Sequence, residues 1–154
     1  MTVLQHATTD LVVTTWLATI PGITAAMVGT TLPRPAADGT VSWAATGFVQ
    51  TTAVGGTPGM DVPLASPVVQ IDCWATQSNS DLPPRAKANA LAMAVWWAAA
   101  LNTGIETVLT LRSGYAGARV MSAYLLGEPR PIYGDASDYA RYTMNLAMNW
   151  VEVS

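Results

Sequence analysis

The sequence predicts an α+β fold: an antiparallel sheet of about four to five strands packed against one long helix and a short N-terminal helix. Two segments, 67–75 and 139–153, alternate between inward and outward residues in the manner of half-buried strands. Between them, residues 85–101 are almost continuously Ala, Leu, Met, Val and Trp, which is typical of a buried helix. Strands grouped before and after one main helix favour an antiparallel sheet.

The first third of the chain predicts the short helix and two strands. Asp10 is a candidate N-cap for a helix over 11–20, which a Pro-Gly pair then ends. Residues 23–28 predict a short strand. Residues 41–54, rich in β-branched and aromatic side chains, predict a longer one. Prolines and an Asp-Gly pair predict a loop at 30–39 between them.

A flexible loop is predicted at about 53–66, where prolines and glycines accumulate. A loop of this length in a compact domain is usually a working loop or a disordered one. The strand at 67–75 follows, and its alternation places Val69, Ile71 and Cys73 on one face.

The long apolar segment predicts a helix that a sheet alone would not cover. Asp81 is a candidate cap, with Pro83 and Pro84 in the first turn, and the glycine at 104 ends the helix. Because the helix over 85–101 is apolar nearly all round, we expect another helix or a neighbouring subunit to cover the side that faces away from the sheet.

The last third predicts two strands. Residues 119–126 form the first, and the prolines that follow at 129 and 131 predict its end. Asp135 and Asp138 favour a turn before the strand at 139–153. One face of that last strand is apolar, and the other is polar but nearly uncharged, which suits a face that meets protein or lines a wet cavity.

Composition indicates assembly rather than catalysis. Only 11% of the residues are charged, against roughly 25% in an ordinary soluble domain. A surface with few charges and much apolar area is typical of a surface that other proteins bury. The 154 residues fit a single domain over 1–154.

Several function classes are disfavoured by the same composition. The net charge is −3, Lys87 is the single lysine, and no basic run exists to neutralise phosphates, so direct nucleic-acid binding is not expected. The apolar run at 88–101 is too short to span a bilayer, and the N-terminus lacks a secretory signal, so we expect a soluble, cytoplasmic product and no membrane partner.

Candidate catalytic groups are isolated. His6 is the single histidine and lies in a segment expected to fray, and Cys73 lies in an apolar row, which favours a buried thiol. Asp135 and Asp138 are explained by turn formation, and the Gly-rich stretch at 55–59 lacks the Lys-Ser/Thr of a P-loop. We therefore predict no enzyme activity, no catalytic residue, no metal site and no cofactor.

The order of elements and several motifs resemble the tail terminator (tail completion) proteins of long-tailed bacteriophages, especially those of actinobacterial phages. The motifs are TLP at 31–33, PVVQIDCWA at 67–75 feeding the Ala-rich helix, GEPR at 127–130 and DYARYTM at 138–144. The resemblance implies a homo-oligomeric ring, typically a hexamer, on the head-proximal end of the tail tube. Such a ring stops tube polymerisation and joins the tail to the head connector, and DNA passes through its lumen without sequence-specific binding.

The resemblance further implies that the tail-tube protein and the head–tail connector are partners and that the protein resides in the virion, at the head–tail junction. It carries over no catalytic residue. We expect the strands at 41–54 and 139–153 and the loop at 53–66 to supply much of the contact area. The candidate interface residues are Val54, Met60, Asp61, Arg119, Arg141, Thr143, Asn145 and Asn149.

Two alternatives remain open at this point. One is another ring-forming head–tail connector or a tail-tube subunit, which polymerises without limit. The other is a small ligand-binding domain or enzyme with a pocket between the sheet and the helix, which would require convergent polar groups in a cavity.

Overall fold

The computed structural model describes residues 3–57, 63–77, 84–133 and 139–153. Within them the chain forms two α-helices, one 3-10 helix and seven strands. The helices are α1 (Thr9–Leu17) and α2 (Arg85–Ala100), and the 3-10 helix is Ala25–Met27. The strands are β1 (Val28–Gly29), β2 (Phe48–Thr57), β3 (Leu64–Ala75), β4 (Val108–Leu109), β5 (Gly117–Leu125), β6 (Arg130–Ile132) and β7 (Ala140–Val153).

All seven strands belong to one sheet: six follow the order β1-β2-β3-β7-β5-β4, and β6 pairs with β7 outside this order. The long strands pair antiparallel, and the two-residue β1 pairs parallel with β2. Because β3 occupies one edge of β7, β5 and β6 must share the other edge: β5 pairs with its C-terminal half and β6 with residues 141–143. β5 and β6 are therefore two pieces of one interrupted strand.

The predicted fold class is wrong. The described residues are mostly sheet, seven strands that curl into a half-barrel, and the helices are short, so no single long helix forms a layer of its own. The α+β expectation of four to five strands against one long helix failed because three of the strands, β1, β4 and β6, have only two or three residues. Elements this short carry no periodicity, and pairing with a neighbour determines them.

The apolar faces of the long strands form the core as predicted. Val69, Ile71 and Cys73 of β3 are fully or almost fully buried. In β7, Leu146 and Met148 are equally inaccessible. Helices α1 and α2 cover this face of the sheet, α1 over β2 and α2 over β3, β7 and β5. The opposite face carries the polar residues of the same strands.

Both helices lie close to their predicted positions, with different ends. The N-cap of α1 is Thr8 rather than Asp10: the Thr8 hydroxyl accepts a hydrogen bond from the Leu11 amide at 3.3 Å, and Asp10 lies in the first turn. Helix α2 begins after Pro84, and the predicted cap Asp81 lies outside the described residues. The end of α2 is followed by Asn102 in the left-handed region, with φ at 56°.

The strand predicted at 41–54 begins only at Phe48. Residues 42–46 form turns that bury Trp43, and the Lys87 ammonium of α2 donates to the carbonyls of Ala44 and Ala45 at 2.8 and 2.7 Å. Gly47 follows with a φ of 82°, where a side chain would meet Leu91 and the backbone of β3. The strand predicted at 23–28 is likewise mainly the 3-10 helix, with β1 at its end.

The segment predicted as a loop at 53–66 is largely a hairpin. Residues 53–57 continue β2, residues 64–66 begin β3, and the two strands pair with each other. Gly56 permits this pairing: its φ is 104°, and a Cβ there would clash with the backbone of Ser66 and Pro67. Residues 58–62 lie outside the described residues, and flexibility at the tip stays a prediction.

Candidate interaction surfaces

A charged pair lies on the sheet face that the helices leave uncovered. Asp72 of β3 is only 3% exposed, and Arg141 of β7 contacts its Oδ1 through Nε and through a terminal nitrogen, both at 3.2 Å. Gln70 donates to both Asp72 oxygens, at 3.3 and 3.0 Å. The Arg141 guanidinium also stacks on Trp74, 5.0 Å from the ring centroid. These contacts satisfy the pair within one subunit.

An uncharged ladder of side chains crosses three strands on this face. Ser66 of β3 donates to Asn149 Oδ1 of β7 at 2.6 Å, and Asn149 Nδ2 donates to the Ser122 hydroxyl of β5 at 2.7 Å. Because each group here is neutral and already has a partner, the face can be covered by another protein at small desolvation cost.

The candidate interface residues are distributed unevenly between surface and interior. Val54 and Asn145 are exposed, the former to 51%. Arg141 and Asn149 are half-buried and bonded as described, and Arg119 is half-buried on β5. Thr143 is buried. Met60 and Asp61 lie outside the described residues. The roles of all these candidate residues in an interface stay predictions.

One edge of the sheet is open along β2. β1 pairs only with Val49 and Gln50, so no described residue pairs with the outer edge of β2 from Thr51 to Thr57. Residues 52–57 are all exposed. A β-bulge between Ala53 and Gly55 displaces Val54, which projects as the large apolar side chain of this edge.

The opposite edge is open along the second half of β5. β4 covers β5 at Ala118 and Arg119, and the carbonyl of Val120 accepts from Glu106. From 121 to 125 the outer edge of β5 has no strand partner among the described residues. Met121 and Tyr124 are exposed there, Tyr124 to 53%.

An apolar groove of about 380 Å³ separates this edge from helix α2. The helix supplies Trp96 and two alanines, and the strand end supplies Tyr124 and Leu125. Beside the groove, Trp97 is 61% exposed and stacks on Trp96, with ring centroids 6.5 Å apart. Leu101 is 71% exposed just beyond the end of α2.

Sequence reasoning did not single out Trp97, Leu101 or Tyr124. A signal for the first was present, because adjacent helical residues point about 100° apart and one sheet cannot bury both Trp96 and Trp97. No comparable signal marks Tyr124. It lies on the sheet face that the helices leave uncovered, opposite Ala147 of β7.

The candidate catalytic groups lie apart from one another in the part of the chain that the structure describes. Cys73 is fully buried in the core, and burial, with Asp72 as a neighbouring charge, raises the pKa of its thiol far above the ordinary value. His6 contacts only Glu152, at 3.1 Å, in an exposed position. No group of three or more His, Cys, Asp or Glu residues could hold a metal ion in the described ranges. Asp135 and Asp138 lie outside them.

The interior between sheet and helices is filled by side chains. Trp16, Leu17 and Val95 from the helices pack there against Ile71 and Leu146 of the sheet. The apolar groove lies at the sheet edge instead. Among the described residues, no helix has both the length and the apolar character needed to cross a bilayer.

Comparison with known proteins gives similarity in structure alone. No family model matches the chain, and no curated protein matches it. Among solved structures, the chain is similar to a chain from the virion of a native gene transfer agent (GTA) particle. The alignment covers 89% of this chain and 84% of that chain, with a TM-score of 0.49 and 16% sequence identity. The likeness concerns the backbone path alone.

Proposed function

We propose that this protein is a structural subunit of a phage-like virion, a tail terminator whose copies form a ring on the head-proximal end of the tail tube. The observation that carries the proposal is the pair of open sheet edges at opposite sides of the molecule. Both edges are free of charged residues over their unpaired stretches, and each presents a large exposed apolar side chain, Val54 on β2 and Tyr124 on β5.

A ring requires this arrangement of surfaces. Each copy must meet its neighbours through two different patches on opposite sides, so that the contact is heterologous and closes on itself. Aromatic and aliphatic anchors in an uncharged setting are typical of the centre of a stable interface. The proposed role is structural and does not include turnover of a substrate.

The partners follow from the position of such a ring. One surface of the ring meets the tail-tube protein, and another meets the head connector. DNA passes through the lumen without sequence-specific binding. The scarcity of basic residues supports this last point, since Arg141 is engaged by Asp72 and Lys87 by backbone carbonyls. The motifs at 67–75, 127–130 and 138–144, which resemble those of tail terminators, support the finer assignment.

A tail-tube subunit would also have open sheet edges. The decisive experiment therefore distinguishes a ring that ends a tube from a subunit that polymerises into one. Purified protein is mixed with tail-tube protein under polymerising conditions and examined by negative-stain electron microscopy. We expect closed rings, tubes of restricted length and a ring on one tube end. Long tubes built from this protein alone would assign it to the tube. Tubes of unaltered length without rings at their ends would contradict the proposal.

A further inference from the structure

The two open edges run in opposite directions. Three successive antiparallel pairings, β2 with β3, β3 with β7 and β7 with β5, leave β2 antiparallel to β5. Rotation about an axis along the strands preserves strand direction. A neighbouring copy related by such a rotation therefore brings its β2 to β5 in the antiparallel sense, which is the more stable pairing.

Neither edge carries a charge or a proline over its free stretch, although each contains a β-bulge, at Val54 in β2 and at Met121 in β5. Natural proteins protect exposed edges with lysine, other charges or proline. β2 contains none of these over its ten residues, and β5 has none from 121 to 125. The bulge at Val54 bends β2 locally, and the edge on both sides of it stays unpaired among the described residues.

The apolar groove lies where an added strand would place its side chains. Tyr124 and Leu125 line the groove and also belong to the free stretch of β5. A strand hydrogen-bonded there would lie beside the C-terminal half of α2, over Trp96 and Ala100. The exposed Val54 of an incoming β2 is an apolar side chain of a size to enter this groove.

We propose that β2 of one copy adds to β5 of the next copy as an antiparallel strand, with Val54 in the groove between β5 and α2. The pairing spans residues 121–125 of β5, since β4 covers the strand before them. This inference rests on the proposed ring and specifies its subunit contact. The occupant of the groove is a second copy of this chain.

Cysteine pairs test the contact directly. Double variants combine Thr52→Cys or Val54→Cys with Met121→Cys or Tyr124→Cys, and a short bis-maleimide links residues that lie opposite or diagonal across a strand pair. Native Cys73 is fully buried and does not compete. We expect at least one double variant to give a ladder of covalent oligomers on denaturing gels, at a rate about tenfold or more above a matched control. The control combines Tyr124→Cys with Ala37→Cys, an exposed position in the loop at 30–39.

The outcomes separate this inference from the proposed function. Single-cysteine variants should give no dimer, because like positions lie apart in a head-to-tail ring. Rings that form normally while all four double variants fail to cross-link would overturn the strand contact and leave the ring intact. Dimers from Val54→Cys alone would also overturn it, since they indicate an isologous pairing of β2 with β2. A protein that forms no ring with or without tail tubes would refute both.

Discussion

Thr51 places a hydroxyl inside the apolar core. Its side chain is 1% exposed, and its Oγ1 has no hydrogen-bond partner among the described residues. A buried polar group without a partner costs the free energy of its desolvation. Thr51→Val keeps the shape and removes that cost, so we expect the free energy of unfolding to rise by about 1 kcal/mol. Urea denaturation measures it.

Thr14→Val is the matched control for this substitution. The Thr14 hydroxyl donates to the Asp10 carbonyl at 2.7 Å, so its removal should give no comparable gain. A loss of stability in Thr51→Val would show that the hydroxyl is satisfied in solution.

Asp72 and Arg141 test the buried pair on the polar face. Asp72→Asn removes the charge and leaves the guanidinium, itself 23% exposed, facing a neutral group. We expect a loss of about 2–3 kcal/mol in the free energy of unfolding. Adding Arg141→Met to Asp72→Asn should recover part of that loss, because no unpaired charge then remains. An additive double-mutant cycle would contradict the coupling.

At this scale the sequence predicted which side chains are buried better than what they contact. The alternation of β3 places Asp72 on the polar face, and its partner Arg141 lies 69 positions along the chain. The pairing of β3 with β7 brings the two residues together, and no local sequence pattern indicates this pairing. The burial of Cys73 was predicted, because alternation alone determines it.

The N-terminal arm, residues 3–8, has one attachment to the sheet that depends on pH. Glu152 of β7 accepts from the Ala7 amide at 2.9 Å and contacts His6, and these hydrogen bonds hold the pKa of its carboxyl below the ordinary 4.5. A carboxylate whose pKa is lower in the folded state than in the unfolded state contributes stability at pH values above the unfolded pKa. This contribution is lost as the pH falls through the folded pKa.

We therefore expect the contact of Ala7 with Glu152 to hold at neutral pH and to weaken as the pH falls below 4.5 and through the lowered pKa of Glu152. The backbone bonds of Gln5 to Gly114 and Ala116 do not depend on this carboxylate. Hydrogen exchange at the Ala7 amide measures the contact with Glu152, corrected for the intrinsic pH dependence of exchange. Glu152→Gln should show weak protection at neutral pH already. Equal protection in the variant and the native protein would contradict the role of the carboxylate.

A single charge on the open edge of β2 should prevent this edge from pairing with a neighbouring copy. Val54→Asp places a carboxylate at the centre of the proposed contact, and ring formation should fall by about tenfold or more, because an unpaired charge resists burial. Asn145→Glu tests the polar face in the same way. Ala37→Asp, in the exposed loop, is the control and should assemble normally. Circular dichroism should be unchanged in all three, and normal rings from Val54→Asp would remove β2 from the interface.

The sequence predicted elements in proportion to their length. The strands β3 and β7, the strand β5 and both helices were located to within a few residues. The short strands β1, β4 and β6 were not, and neither were the paired halves of the hairpin at 53–66. Glycines and prolines there suggested a loop, but Gly56 serves the close approach of β3, and Pro67 is buried within that strand.

The whole molecule is poor in charge, and a surface of this kind is typical of one that other proteins bury. The lack of charged residues pointed to assembly from the sequence alone, whereas the two edges and the groove required the topology. Neither the stop of β4 at Leu109 nor the exposure of Tyr124 follows from local pattern. These features decide which surfaces remain available to a neighbour.

Light scattering of the purified protein, with and without tail tubes, decides whether copies of this chain assemble into a ring. Negative-stain images of the same peak show the shape of the assembly. We expect a closed ring of identical copies, six by resemblance to tail terminators, either free or on the end of a tube. A compact monomer that stays monomeric and does not bind tail tubes would rule out the ring.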